Sequence, residues 1–468
     1  MSKKALGKDK FGVQKVMRKS DYFADSLGMF ALNTMSGLVG QLTYFYTDKV
    51  GMAAGAVATV FFICKILDAF TDVFMGNIVD HTKPGKEKYR PWLLKMAIPA
   101  ALIIIMLFTV PAGFSEPGKL VYMAVTNILL TAVIYTAIAI PYASLQVVRT
   151  NSQEERGIIG IWRAAAGYVS GMIIAIAIIP ITNALGGDQA AWIKFGLIFG
   201  LLALLSLLIC YARAKECAVE AGADKVEEIE AEEEEQVPFG EAIKNLFRNK
   251  YWVMILIMGI FSNVSYGISG ASGAYYCKLI YGDDNLTGIL GAVGLIPTLV
   301  GFIAVGPMTK KLGVTKTLKV SFFIGMVATA IRIFNPTSFI FNTAMGCFAS
   351  FANIPMMCLL GVFTAMSIDY NEYKYGKRMV GTSQAASSFG GKIGSGIGAS
   401  MVGWCLALAS YDGFAEVATP AVRQAVYTIG IYIPLALFVI MFILTIKFDL
   451  EEKLPAMREE IAARKANN

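Results

Sequence analysis

Charge is scarce in this sequence. Only 16% of its 468 residues are Asp, Glu, Lys or Arg, against about 25% in ordinary globular chains. Hydrophobic residues make up 56%, a balance that argues against a water-soluble domain. There is one histidine, His81, beside Lys83 in a polar segment, and no metal or catalytic role is expected of it. The seven cysteines, at 64, 210, 217, 277, 347, 358 and 405, form no CxxC pair and no metal-ligand spacing. Neither a disulfide framework nor a zinc site is suggested. The polar segments hold no nucleophile–base pair, metal cluster or phosphate-binding glycine loop, so an enzyme is not expected, and no cofactor is implied. Residues 1–20 are polar and basic, so no cleavable signal peptide is expected. The net charge of +7 calls for no nucleic-acid partner, because the basic residues lie between long apolar runs.

Those runs are what the sequence has in abundance. Stretches long enough to cross about 30 Å of hydrocarbon fall near 26–47, 52–79, 92–112, 120–147, 157–183 and 190–211. A second set lies near 252–280, 286–308, 317–335, 338–367, 380–409 and 424–447. The chain reads as an all-α polytopic membrane protein with twelve transmembrane helices. It divides into a bundle at 1–211, a linker at 212–249, a second bundle at 250–448 and a tail at 449–468. Segments after spans 2, 4, 8 and 10 carry most of the loop lysines and arginines, among them Lys83, Arg90, Arg149, Lys310 and Lys374. The positive-inside rule makes them cytoplasmic. A multi-pass protein of the cell membrane with both termini inside is expected. In the linker, VEEIEAEEEEQ (226–236) is a solvated acidic run, and Phe239, Ile243, Leu246 and Phe247 recur at the spacing of a short amphipathic helix.

KILDAFTD (65–72) interrupts the second span with Lys65, Asp68 and Asp72, which share one helical face at about 100° per residue. An ionised carboxylate at the centre of a membrane helix costs roughly 2.5–3.5 kcal/mol. A structural ion pair with Lys65 accounts for one aspartate and leaves the other, which favours a functional site. Six spans on each side of a linker suggest duplication. GNIVDHTKPGKEKYRPW (76–92) after span 2 corresponds to GPMTKKLGVTKTLK (306–319) after span 8, at an offset of 230. At that offset Asp68 and Asp72 map onto Thr298 and Phe302, so the carboxylates belong to the N-terminal half alone. Two pseudo-symmetric six-helix halves are the major facilitator architecture, with substrate bound near the midplane.

DAFTD followed by MGNIVDHTKPGKEKYRPWLL, then AIPYASL (139–145), IDYNEYKYGKR (368–378) and SSFGGKIGSG (387–396), resembles the glycoside–pentoside–hexuronide:cation symporters, and does so along nearly the whole chain. That resemblance implies secondary active transport: import of a glycoside or oligosaccharide coupled to H+ or Na+, by alternating access between the bundles. It makes Asp68, Asp72, Thr71 and Thr136 cation ligands, Thr71 standing where an asparagine is usual. It assigns Arg163 to sugar binding, with Lys392, Ser387 and Ser388 matching polar positions of helix 11. Ala139 stands where members that carry melibiose have an aspartate, and Asn33 lies near their helix 1 aspartate. Sugar transport is therefore implied without melibiose-like recognition.

The chemistry of these residues is consistent with that assignment. Each unsatisfied polar group buried with a sugar costs about 1–3 kcal/mol, and Arg163 and Lys392 offer five and three donors. Asn33, Ser387 and Ser388 add neutral polar groups, and Tyr44, Tyr135, Tyr142 and Trp162 can stack on a pyranose or simply pack. Gly390, Gly394 and Gly398 form a stripe for helices that either slide or pack closely. Asp80, Arg90, Asp369, Glu372, Lys377 and Arg378 are candidate salt bridges of an inner gate, or ordinary surface pairs. A monomer in the lipid bilayer is expected. Other readings are a carrier of a non-sugar amphiphile or drug, and a sugar sensor without flux. Mutual repulsion of Asp68 and Asp72 favours protonation of one, so protons are expected to drive transport, with sodium weaker or equal.

Overall fold

A computed structural model describes residues 7–8, 13–80, 87–150, 152–216, 239–375, 380–414 and 418–467. Apart from a single bridge between Lys8 and Gln14, the regular structure of these residues is helical. Two compact units emerge: Met1–Lys225 with Asp412–Ala415, and Val226–Tyr411 with Glu416–Asn468. The first holds α1 (Lys19–Gly40), α2 (Ala54–Asp80), α3 (Arg90–Phe108), α4 (116–148), α5 (Gln153–Ala184) and α6 (Gln189–Arg213). The second opens with α7 (Phe239–Arg248), α8 (Lys250–Tyr276), α9 (Leu286–Leu312) and α10 (Val314–Ile331). It continues with α11 (Phe339–Tyr375), α12 (Val380–Leu408), α13 (420–446) and α14 (Leu450–Asn467).

Ten of these segments, α2–α6, α8–α11 and α13, are long and apolar enough to cross a membrane. The more polar α1 and α12, of 22 and 29 residues, reach the necessary length at about 1.5 Å per residue. Helices are the required solution, because hydrocarbon offers no partner to an unpaired backbone group. Some of their ends are closed by side chains. Asp188 accepts from the Ala191 N–H at 2.9 Å, and Asn249 accepts from those of Tyr251 and Trp252 at 3.0 and 3.2 Å. In α7, Leu246 is buried with Trp252 while Phe247 is exposed. The acidic run 226–236 lies outside the described residues.

In unit 1, α1 packs on α5 and α6, α3 on α6, and α2 on α4. In unit 2 the closest seam is α8 against α12. There Gly394 and Gly398 face backbone, since a Cβ would lie 2.7 Å from the Ile260 carbonyl and 2.2 Å from that of Val264. One device recurs in both units. Glu216, just past α6, accepts the backbone N–H groups of Lys88, Tyr89 and Arg90 at 2.9, 2.7 and 2.7 Å where α3 begins. Glu451, just past α13, accepts those of Val314 and Thr315 at 2.7 Å where α10 begins. Each carboxylate satisfies orphan donors at a positive helix end. Gly313 leads into the second cap with φ 83°, which disfavours any side chain, and a Cβ there would fall 2.9 Å from a Glu451 oxygen.

Candidate functional site

Asp68 is 5% exposed on α2. Lys65, one turn earlier, places its ammonium 3.6 Å from Asp68 Oδ2, and the Thr71 hydroxyl donates to the Asp68 carbonyl at 3.0 Å. Asp72 continues the same helix, its side chain outside the described set. The neighbouring helix α4 is not regular. Its centre, Leu129–Tyr135, winds as a π-helix, and α2 packs against this stretch and the turn after it. The wider turn lets the Thr136 hydroxyl donate to the carbonyl five residues back, Thr131, at 3.1 Å. Thr136 is 1% exposed and Tyr135 half-buried. A hydroxyl that donates to a carbonyl keeps its oxygen lone pairs, so the Thr71 and Thr136 oxygens retain acceptor capacity. Among the described residues, no group of three or more His, Cys, Asp or Glu is placed to hold a metal ion.

Arg163 occupies a different environment, a buried ionic cluster between α1, α4 and α5. Its Nε lies 2.7 Å from Asp25 Oδ2 and its Nη2 3.1 Å from Oδ1, while Nη1 donates to the Tyr142 carbonyl at 2.9 Å. The guanidinium also lies 3.7 Å from the Tyr142 ring centroid, within cation–π range. Arg149 Nη1 reaches the same carboxylate at 2.5 Å. The Tyr142 hydroxyl donates to the Asp25 carbonyl at 2.7 Å and accepts from the Met29 N–H at 3.2 Å. Asp25, Arg149, Arg163 and Tyr142 are all at most 4% exposed. Gly28 is required beside them, because a Cβ there would stand 2.5 Å from the Tyr142 ring. Three of the five Arg163 N–H groups are thus committed within the protein.

Asp25 was not among the residues singled out from the sequence. It sits in phase with Gly28, Leu32 and Met35 on the buried face of α1, and that register is the signal that could have found it. Asn33 lies on the same α1–α5 seam. Its Nδ2 donates to the Met29 carbonyl at 3.2 Å, and a Cβ at Gly167 of α5 would fall 2.9 Å from that nitrogen.

In unit 2, Ser387 and Lys392 are half-buried on α12, and the Ser388 side chain is outside the described set. Of the expected gate residues, Arg90 pairs with Glu87 at 2.6 Å and donates through Nε to the Tyr211 carbonyl at 2.7 Å. Asp369 and Glu372 are half-buried on α11. The Asp80 side chain, Lys377 and Arg378 lie outside the described residues.

Residues 25–452 match the family of MFS/sugar transport proteins. The chain is 28% identical over 399 residues to the inner membrane symporter YicJ of Escherichia coli K12, covering 83% of each chain. It is 29% identical over 403 residues to the isoprimeverose transporter of Lactiplantibacillus pentosus, covering 84% of this chain and 81% of that one. Among solved structures, a bacterial homologue of the lysosomal transporter Spinster superposes with a TM-score of 0.66 at 12% identity, covering 94% and 99%. The nucleoside transporter NupG does so with 0.63 at 11%, covering 92% and 100%. At such identities the structural likeness concerns the fold alone. With α2 and its DAFTD motif inside the matched range, the chain belongs to the MFS/sugar transport protein family, in its branch of glycoside–pentoside–hexuronide:cation symporters.

Proposed function

We propose that this protein imports a glycoside or short oligosaccharide across the cytoplasmic membrane, driven by H+ or Na+ bound at Asp68 and Asp72. The observation that carries the proposal is Asp68, a 5%-exposed carboxylate on a helix apolar enough to span a bilayer. An ionised group costs roughly 2.5–3.5 kcal/mol there, and a bound cation offsets that cost. Thr71 on α2 and Thr136 on α4 complete the ligand set. If the loaded cation site favours the state that binds sugar, each ligand raises the affinity of the other by the same factor. The positive-inside rule, applied to the basic segments, supports cytoplasmic termini.

Asn33, Tyr135, Lys392, Ser387 and Ser388 are proposed to meet sugar hydroxyls. Arg163 contributes the two N–H groups that Asp25 and Tyr142 leave over. Asp80, Arg90, Asp369, Glu372, Lys377 and Arg378 serve the inner gate, and the carrier acts as a monomer. The relatives named as a symporter and an isoprimeverose transporter support the class of cargo. The test is uptake of a panel of labelled saccharides by proteoliposomes under a pH gradient, a sodium gradient or neither. At least one saccharide should accumulate only when a gradient is present. Export alone, or movement indifferent to both gradients, would overturn the proposal.

A further inference from the structure

We infer that unit 1 holds a phosphate-binding site for an anionic phospholipid of the inner leaflet, where the segment before α1 meets the end of α6. A cavity of about 370 Å³ lies there, lined by Val16, Met17, Asp21, Arg149, Arg213 and Lys215 among others. On its open side the exposed Arg213 and Lys215 thus face one carboxylate, while Arg149 lies behind them, 3% exposed and already paired with Asp25. The facing carboxylate is already engaged, since Asp21 accepts from the Arg18 N–H at 2.9 Å and lies 3.6 Å from Arg213. Lys215 is exposed and has no carboxylate partner among the described residues. The wall is held in place from behind, because Glu155 accepts the backbone N–H groups of Val16 and Met17 at 2.9–3.2 Å. A preorganised excess of positive charge suits a phosphate oxyanion.

A lipid rather than a soluble phosphate is indicated by what adjoins the cavity. Leu201, Leu205 and Ile209 on α6 are 48, 54 and 46% exposed, and Arg213 follows them at the same four-residue spacing, on one face. A headgroup at Arg213 and Lys215 lays its acyl chain along that stripe. On the cytoplasmic orientation proposed above, the site opens where anionic lipids attract basic residues. Occupancy bears on the buried cluster through Arg149, which lines the cavity, donates to the Arg213 carbonyl at 3.1 Å and holds Asp25 at 2.5 Å.

The test needs no knowledge of the transported solute. The melting temperature of the full chain in detergent is followed against dihexanoyl-phosphatidylglycerol, dihexanoyl-phosphatidylcholine and inorganic phosphate, since a ligand bound only by the folded state raises it. Phosphatidylglycerol should raise it in a saturable way, and the other two should not. Arg213→Ala with Lys215→Ala should demand roughly 10–30-fold more phosphatidylglycerol for the same rise. Lys215→Ala alone, at an exposed side chain, gives the same readout in smaller measure if the double variant does not fold. Four outcomes would overturn the site as proposed: no response to phosphatidylglycerol, an equal response to phosphatidylcholine, an equal response to inorganic phosphate, or variants that respond like the parent.

Discussion

Asp25 and Arg163 meet across α1 and α5 as a two-point ion pair, with Nε 2.7 Å and Nη2 3.1 Å from the two carboxylate oxygens. Because Arg149 shares that carboxylate at 2.5 Å, Asp25 is the single anion between two buried cations in this cluster. Asp25→Asn strands both, and removing one partner of a buried pair typically costs about 3–5 kcal/mol. A large fall in melting temperature is expected. Arg163→Leu costs less, because Arg149 still neutralises Asp25, and adding it to Asp25→Asn should recover part of the loss. A double-mutant cycle reads that coupling. Strict additivity of the two changes would show that the pair is not an energetic unit.

Gly398 approaches α8 so closely that a Cβ would lie 2.2 Å from the Val264 carbonyl. Backbone cannot turn aside as a side chain can. Gly398→Ala therefore has to part α8 from α12, and overpacking of this kind costs about 1–3 kcal/mol. At Gly270, also on α8, a Cβ meets nothing within 4 Å. There alanine should be neutral, or stabilising by up to about 1 kcal/mol through its helix preference. Thermal melts of the two variants decide the matter. Equal effects would mean that the stripe is not a packing seam.

Glu216 and Glu451 do the same work in the two units, and their removal should have parallel effects. Glu216→Ala orphans the N–H groups of Lys88, Tyr89 and Arg90, and Glu451→Ala those of Val314 and Thr315. Loss of a cap costs about 0.5–2 kcal/mol, felt locally first. Hydrogen exchange measured by mass spectrometry should quicken at the start of α3 in one variant and of α10 in the other. Unchanged exchange at either helix start would remove the cap from the account of that helix.

The helices were legible because a bilayer imposes length and apolarity on each one. The second span, read at 52–79, forms as Ala54–Asp80. The burial of a charge at Asp68 was legible for the converse reason, the residue being a carboxylate where the apolar run should continue. Asp25 was missed, since it lies ahead of the apolar run in the mixed first turns of α1, KSDYFADS, where only its phase with Gly28, Leu32 and Met35 marks the aspartate that turns inward. The environment of Arg163 was hidden for the same reason, its partner lying 138 residues away. The caps were equally hidden, Glu216 and Arg90 being 126 residues apart. The π-helical centre of α4 leaves the apolar composition of Leu129–Tyr135 unchanged and so leaves no trace in a count of apolar residues.

The identity of the driving ion turns on the oxygens around Asp68. Lys65 stands 3.6 Å from Asp68 Oδ2 and is the first competitor for that carboxylate, so an incoming cation has to displace or outweigh an ammonium. A proton does so at one oxygen. Sodium needs several oxygens at once, and on the proposed ligand set Thr71 and Thr136 would have to supply theirs while still donating to the carbonyls of Asp68 and Thr131. Thr71 is also shorter than the asparagine usual at its position. Protons are therefore expected to drive transport, with sodium equal or weaker. Asp68→Asn should abolish uphill accumulation under either gradient while leaving downhill exchange measurable. Uptake at fixed membrane potential, first with a pH gradient alone and then with a sodium gradient alone, separates the ions. Strict dependence on sodium would sink the expectation, and undiminished accumulation by Asp68→Asn would make this carboxylate a structural partner of Lys65.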